Sequence, residues 1–370
     1  MILRSLKVRH FRNLGHVDLS FHDQVNLFVG PNGQGKTNLL EAIYYLGTTK
    51  SFRTIRIPNL VSLDKEDLFV EGTGTVGGVE RSLSAGYRRE DRKRELLVNG
   101  NRVTVRDFVS TLPLFAYSSS RLEILRGGPE ARRRFLDRGI ATHRPAYLSD
   151  LSRNRRALRQ RNALLQEIAR GREKQESLDA WDHEWASTSS TVVRERRAYC
   201  ENLGEKFREI VADYRYPLES LEIQYAPTGS FEEPGEGLDN LRRIRKREIA
   251  AGFSLVGPHR DNVDFTFRGI PADEVLSSGE TKMVVLFLKM AKTSIFTGSD
   301  GQPPIFLLDD VDAELDLGII ERLLFDLRDR AQLFTTSSKE SIFGPMAIGT
   351  FQKYTVENGS IRLVDRVASG

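Results

Sequence analysis

Gly30-Pro31-Asn32-Gly33-Gln34-Gly35-Lys36-Thr37 sets three glycines, a lysine and a hydroxyl at the spacing G-x-x-x-x-G-K-[ST]. Each residue type has a task at a phosphate. Glycines let backbone N–H groups converge on phosphate oxygens. Lys36 is placed to reach the β- and γ-phosphates of ATP, and Thr37 to hold Mg²⁺. The run follows Val25-Asn26-Leu27-Phe28-Val29, expected to be a buried parallel strand. Leu39, Leu40, Ile43 and Leu46 then recur at helical spacing and predict a helix over residues 37–46. Such a helix points its positive end at the same anion. The eight residues, with Asn38, form the expected ATP-binding segment. The alternative, a chance glycine turn, does not explain a full match between a strand and a helix.

Pro304 precedes Ile305-Phe306-Leu307-Leu308-Asp309-Asp310. Four apolar residues ending in paired acids describe a buried strand. It would deliver Asp309 to the Mg²⁺ shell and Asp310 to the attacking water. Asp310, Asp309 and Lys36 are therefore the candidate catalytic residues, and Thr37 and Asp309 the candidate metal ligands. A core strand ending in a solvated acidic turn is the alternative.

Leu276-Ser277-Ser278-Gly279-Glu280 resembles the LSGGQ signature of ABC ATPases, with Ser278 and Glu280 as departures. Such a segment also serves simply to cap a helix, and residues 281–291 are expected to be one. The order of the three motifs gives the resemblance its weight. It implies that Ser277 and Gly279 meet a γ-phosphate held by a second subunit, in an ATP-dependent homodimer. Ala313-Glu314-Leu315-Asp316 falls where the D-loop would be, with Asp316 at the subunit junction. Phe334-Thr335-Thr336-Ser337 stands in the place of the switch histidine. No Q-loop glutamine can be placed.

These motifs need elements to carry them. Residues 2–29 read as strands. Residues 66–116 read as antiparallel, with an Asn99-Gly100 turn joining Leu96-Leu97-Val98 to Val103-Thr104-Val105. Leu, Ala, Arg and Glu dominate residues 129–250, predicting mostly helix, with Leu148, Leu151, Leu158 and Leu165 on one face. A C-terminal hairpin over residues 353–364 turns at Asn358-Gly359. The expected fold is α/β: a P-loop NTPase of ABC ATPase type with an antiparallel β subdomain and a mostly helical insertion. The expected boundaries are 1–128 for the N-terminal part of the ATPase domain, 129–251 for the insertion and 252–370 for the C-terminal part. The insertion lacks sustained heptads, which argues against a long coiled coil. The 370 residues are 39% hydrophobic and 29% charged, ordinary for a globular chain. One cysteine, Cys200, leaves no internal disulfide and no zinc cluster to expect. No signal peptide and no membrane-spanning run are evident, so a cytoplasmic protein is expected.

The chain resembles the RecF family over nearly its whole length. Phe11-Arg12-Asn13 with the phosphate loop, Ser51-Phe52-Arg53-Thr54, Ile124-Leu125-Arg126-Gly127-Gly128-Pro129 continuing to Arg132-Arg133-Arg134-Phe135-Leu136-Asp137, and Val256-Gly257-Pro258-His259-Arg260-Asp261 carry the resemblance. Ser119-Ser120 departs from the usual Pro-Glu or Pro-Asp. The resemblance implies a cytoplasmic protein that binds ATP and DNA, prefers gapped or junction duplex and hydrolyses ATP slowly. It implies action with RecR and RecO to direct RecA onto gaps in DNA repair, recombination and replication, and support of the SOS response.

Residues 126–172 hold thirteen Arg, no Lys and four acids. Duplex DNA attracts such a surface through counterion release. Arg153, Arg156 and Arg159 are the candidate DNA contacts, with Arg242, Arg243, Arg245, Lys246 and Arg247 as a second cluster. A solvated helix face is the alternative. Arg132–Arg134 suit a structural role. His259 and Arg260 either reach the nucleotide or form a capped turn. The competing functions are a faster DNA-repair motor or nuclease-associated ATPase, and a transporter nucleotide subunit.

Overall fold

Val25–Val29 is apolar except for the buried Asn26, because the strand it forms is covered on both faces. The computed structural model describes residues 1–118, 122–300, 303–313, 315–339 and 350–367. It divides into two units, Met1–Arg121 with Lys292–Gly370, and Leu122–Ala291. The division differs from the expected boundaries. Residues 252–291, expected with the ATPase domain, belong to the second unit.

The first unit opens with β1 (Ile2–Phe11), β2 (Leu14–Ser20), β3 (Val25–Val29) and α1 (Lys36–Thr48). Then come β4 (Asp67–Val76), β5 (Val79–Arg88), β6 (Arg94–Val98), β7 (Asn101–Arg102), α2 (Val105–Thr111) and β8 (Leu114–Ser118). The antiparallel reading holds for β4 to β7, but two parts of it are corrected. Val103-Thr104-Val105 is not a strand: Thr104 caps α2 by accepting from Asp107 N, which ends the hairpin early. β8 pairs in parallel with the later strand that ends at Asp309.

The second unit is formed by α3 (Glu123–Arg126), α4 (Pro129–His143), α5 (Tyr147–Ala169), α6 (Asp179–Tyr214), β9 (Leu221–Ala226) and α7 (Pro234–Ala251). It continues with β10 (Asn262–Phe267), β11 (Ile270–Pro271), α8 (Ala272–Val275) and the start of α9 (Ser278–Asp300), whose residues from Lys292 belong to the first unit. β9 interrupts the expected helical run and pairs antiparallel with β10. The helix expected over 281–291 starts earlier and runs longer. The chain then completes the first unit with β12 (Ile305–Asp309), α10 (Leu317–Arg328), β13 (Gln332–Ser337), β14 (Phe351–Glu357) and β15 (Ser360–Val367).

Two six-stranded sheets build the first unit. One is antiparallel, in the order β2-β1-β4-β5-β6-β7. The other runs β15-β14-β3-β13-β12-β8, parallel except at the β14–β15 hairpin. α1 lies in the core they share. Its Leu39, Leu40, Ile43 and Tyr45 are buried with Leu6, Val70 and Leu83 of the first sheet and Phe28, Leu307 and Phe334 of the second. A helix covered on most faces is apolar on most faces.

The second unit is pinned by buried ions. Arg161, wholly buried, meets Asp182 at 2.7 Å and Glu248 at 2.6 Å, donates to Ser254 and lies over the Trp185 ring. The buried face of α5 thus includes Asn154 and Arg161 beside Leu151 and Leu165, while Leu148 and Leu158 are only half-buried. Arg196 forks onto Asp137 at 2.9 and 3.1 Å. Arg132 and Arg133 donate to the carbonyls of Val263 and Asp261, tying α4 to β10. His259 and Arg260 both reach the Ser254 carbonyl, the capped-turn alternative, and burial pushes His259 down to about 4. Cys200 is buried, which pushes its thiol up to about 12.

Candidate functional site

The phosphate loop sits between β3 and α1. Gly33 and Gly35 take φ of 81° and 114°, left-handed values that favour glycine. Gly35 is the N-cap of α1 and has no side chain to offer the first-turn N–H groups. Those donors therefore remain for a ligand. Asn32, Gly33, Gly35, Lys36, Thr37, Asn38, Arg53 and Asp310 line a cleft. Three residues of the expected segment do not. Gly30 and Pro31 present their carbonyls to Lys36 Nζ at 2.7 and 3.0 Å. Gln34 turns to the C-terminal hairpin, its Oε1 accepting from Asn358 N.

β12 ends in the acids and β13 supplies Thr336 beside them. Thr37 Oγ1 donates to Asp309 Oδ1 at 2.9 Å. Thr336 Oγ1 donates to the same oxygen at 2.9 Å and accepts from Asp310 N at 2.8 Å. Thr336 is wholly buried. At the switch-histidine place, the hydroxyl thus bridges the two acids. Burial, and then the charge of Asp310, push Asp309 up to about 6, against the hydrogen bonds from Thr336 and Thr37. Burial also raises Asp310, opposed by Lys36. Asp310 has φ of 48°, strained for a non-glycine residue, at the end of the strand.

One residue that anchors the site is not singled out by any sequence motif. Glu41 of α1 is wholly buried. Arg12 forks onto it, Nε to Oε2 and Nη2 to Oε1, both at 3.0 Å. Ser51 Oγ donates to it, and Ser51 in turn accepts from the N–H groups of Arg53 and Thr54. Two segments far apart in sequence, 11–13 and 51–54, therefore converge on one carboxylate. An acid set among Leu39, Leu40, Ala42 and Ile43 was the available signal. Arg53 then reaches Asn38 Oδ1 at 2.8 Å, which brings it to the cleft.

In the second unit, Ser277 and Gly279 are exposed at the start of α9. Ser277 Oγ accepts from Glu280 N, and Glu280 Oε2 accepts from Ser277 N. This reciprocal capping box explains the Glu280 departure locally. Asp316 is exposed at the N-cap of α10. Glu314 and Ser119-Ser120 lie outside the described residues.

On α5, Arg153, Arg156 and Arg159 are exposed. Arg153 pairs with Glu184 at 3.2 Å. Arg156 and Arg159 make no ion pair among the described residues. In the second cluster Arg245 is held by Asp179 and Asp182, and Arg242 pairs with Asp239.

Residues 2–361 match the family model described as RecF/RecN/SMC N terminal domain. The chain is 35% identical to the DNA replication and repair protein RecF of Synechococcus sp. (strain JA-2-3B'a(2-13)), over 98% of this chain and 97% of that protein. It is 34% identical to the RecF of Geobacter sulfurreducens, over 98% and 99% of the two chains. A solved structure of the recombination mediator protein RecF with ATP, in the RecFOR pathway, superposes with a TM-score of 0.87 at 27% identity, covering 98% of each chain. Fold and family agree: a P-loop ATPase of the ABC and SMC head type.

Proposed function

This chain belongs to the RecF family, and we propose that it is an ATP-switched, DNA-binding recombination mediator with weak ATPase activity. The observation that carries this reading is the cleft itself. The uncapped start of α1, Lys36, the Thr37–Asp309 pair and Asp310 are gathered at one place. Thr37 and Asp309 would hold Mg²⁺: a hydroxyl and a carboxylate already in contact, beside a second carboxylate, suit a hard cation that keeps other positions for water and phosphate. When bound, the ion would neutralise charge on the β- and γ-phosphates. Lys36 would leave the loop carbonyls for those phosphates. Asp310 would orient the attacking water and take its proton as the bond from the γ-phosphorus to the β-phosphate oxygen breaks.

In this proposal ATP joins two copies, each cleft closed by the partner copy's signature segment, with the D-loop at the junction. The switch acts in the cytoplasm on gapped or junction duplex, with RecR and RecO, to direct RecA. No helix among the described residues is long and apolar enough to cross a membrane.

Sedimentation with and without ATP, Mg²⁺ and DNA tests the switch. The wild-type chain should shift to a dimer with ATP. Ser277→Arg should keep ATP binding in the monomer and lose the dimer, since the contact is made in trans. A wild type that stays monomeric and fully active with ATP would overturn the dimer reading.

The exposed arginines of α5 are proposed to bind phosphates. Reversing Arg153, Arg156 and Arg159 to Glu should weaken binding to every duplex sequence. The slope of log affinity against log salt should flatten by roughly 0.9 for each phosphate no longer neutralised. An unchanged slope would return them to a solvated helix face.

A further inference from the structure

The β14–β15 hairpin presses its turn against the phosphate loop. Asn358 N donates to Gln34 Oε1 at 2.7 Å, and Gly359 N to the Gln34 carbonyl at 2.8 Å. The turn cannot be displaced by bulk without moving its neighbours. A Cβ on Gly359, whose φ is +78°, would lie 2.3 Å from the Asn13 carbonyl oxygen. At the start of the loop, a Cβ on Gly30 would lie 2.2 Å from the Val356 carbonyl oxygen, in β14. On the other side the β1–β2 turn closes in. Asn13 Nδ2 donates to the Gln34 carbonyl at 3.3 Å, and Asn13 Oδ1 accepts from Asn38 Nδ2 at 2.7 Å.

We propose that Gln34 and the Asn358-Gly359 turn are positioning elements of the nucleotide site: the C-terminal hairpin locks the phosphate loop in its binding shape from outside the cleft. The proposal rests on the reading of that cleft as an ATP site. The physical reason is preorganisation. Fixing a loop residue costs backbone entropy, and a loop ordered before binding does not lose that from nucleotide affinity. Gln34 is a variable position of the motif and does not line the cleft. Its two acceptors both serve the hairpin, so its contribution runs through the loop rather than through a contact with nucleotide.

The chain contains its own control. Asn99-Gly100 makes a second Asn-Gly turn, with φ of 50° and 75° against 49° and 78° at Asn358-Gly359. A Cβ on Gly100 meets nothing within 4 Å. Gly100→Ala and Gly359→Ala therefore carry similar turn strain, but only one touches the phosphate loop. The experiment measures binding of a fluorescent ATP analogue to the full chain, with thermal unfolding alongside. Gln34→Met, which keeps length and loses the acceptor, should raise Kd about fivefold, the worth of one hydrogen bond. Gly359→Ala should raise it at least as much, with KM for ATP rising while turnover at saturation holds. Gly100→Ala should lower thermal stability and leave Kd at the wild-type value. If Gly359→Ala does not fold, Gln34→Met carries the test. Wild-type Kd in Gln34→Met, or an equal loss in Gly100→Ala, overturns the proposal. A wild type that binds no nucleotide fails the ATP reading itself and takes the proposal with it.

Discussion

Glu41→Ala is expected to destabilise the first unit by about 3–5 kcal/mol, the range for removing one partner of a buried ion pair. The carboxylate is wholly buried and accepts from Arg12 twice and from Ser51 once. Its loss leaves the Arg12 guanidinium, 23% exposed, without its fork partner. The Ser51 hydroxyl loses its acceptor as well. Against a total stability of about 5–15 kcal/mol for a typical domain, a loss of that size is a large fraction. Glu41→Gln should fall between, because an amide oxygen still accepts but no longer neutralises Arg12. A double variant, Arg12→Met with Glu41→Leu, should be less destabilised than Glu41→Ala, since no unpaired charge is left behind. Chemical denaturation of the four proteins measures this. A Glu41→Ala midpoint within about 1 kcal/mol of wild type would show that the pair is replaceable by water. The effect should reach the site, because Arg12 adjoins Asn13, which holds both Gln34 and Asn38.

The phosphate loop and the acidic strand were legible because local rules determine them. Glycine conformations, a lysine and a threonine at fixed spacing, and a short apolar strand all act within a few residues. Asp309 and Thr37 are 272 positions apart, yet each motif on its own points to one shared neighbourhood, and the two side chains meet there. What stayed hidden depends on partners distant in sequence. Glu41 reads as one more helix residue until Arg12 and Ser51 arrive. Thr336 reads as a missing histidine, and only β13 pairing beside β12 shows its hydroxyl bridging Asp309 and Asp310.

Charge was the least legible feature. Thirteen arginines in one stretch suggest a single basic surface. The structure divides them. Arg161 is a buried ion, Arg132 and Arg133 bind carbonyls, and Arg144 is paired with Asp150 and Glu195. Counting charges cannot separate these from the exposed Arg156 and Arg159, because the acids that claim them lie mostly on other helices. The division into units departs from the expected boundaries for a related reason. Residues 252–261 bond mainly to the helical unit, through Ser254, Gly257 and Asp261, and no composition change marks that allegiance.

Asp310→Asn is expected to lower ATP turnover by about a hundredfold or more while leaving ATP affinity near wild type. A positioned general base contributes roughly 10²–10⁴ in rate, and the substitution keeps the shape while removing the base. In the proposed site, binding would rest instead on the loop amides, Lys36 and Thr37. Wild-type turnover should itself be slow. ABC enzymes usually place Glu at this position, one methylene longer, so in the proposed role Asp310 would hold the water from further back. An error of about 1 Å in such placement can cost on the order of a hundredfold. The geometry adds a second handle. Asp310 has a positive φ, and its N–H donates to Thr336 Oγ1 while that hydroxyl donates to Asp309. Thr336→Val keeps the volume and loses both bonds, so it should slow hydrolysis through its hold on Asp309 and Asp310. Thr336→Ser should restore it. An ATP-bound dimer that hydrolyses slowly should persist on DNA, and Asp310→Asn should lengthen that lifetime further. The measurements are single-turnover hydrolysis and dissociation of the dimer from duplex, made on all four proteins. Wild-type turnover at tens per second would refute the slow switch and favour a motor. Equal lifetimes for wild type and Asp310→Asn would show that another group times release, and unchanged hydrolysis in Thr336→Val would show that the bridge does not position Asp310.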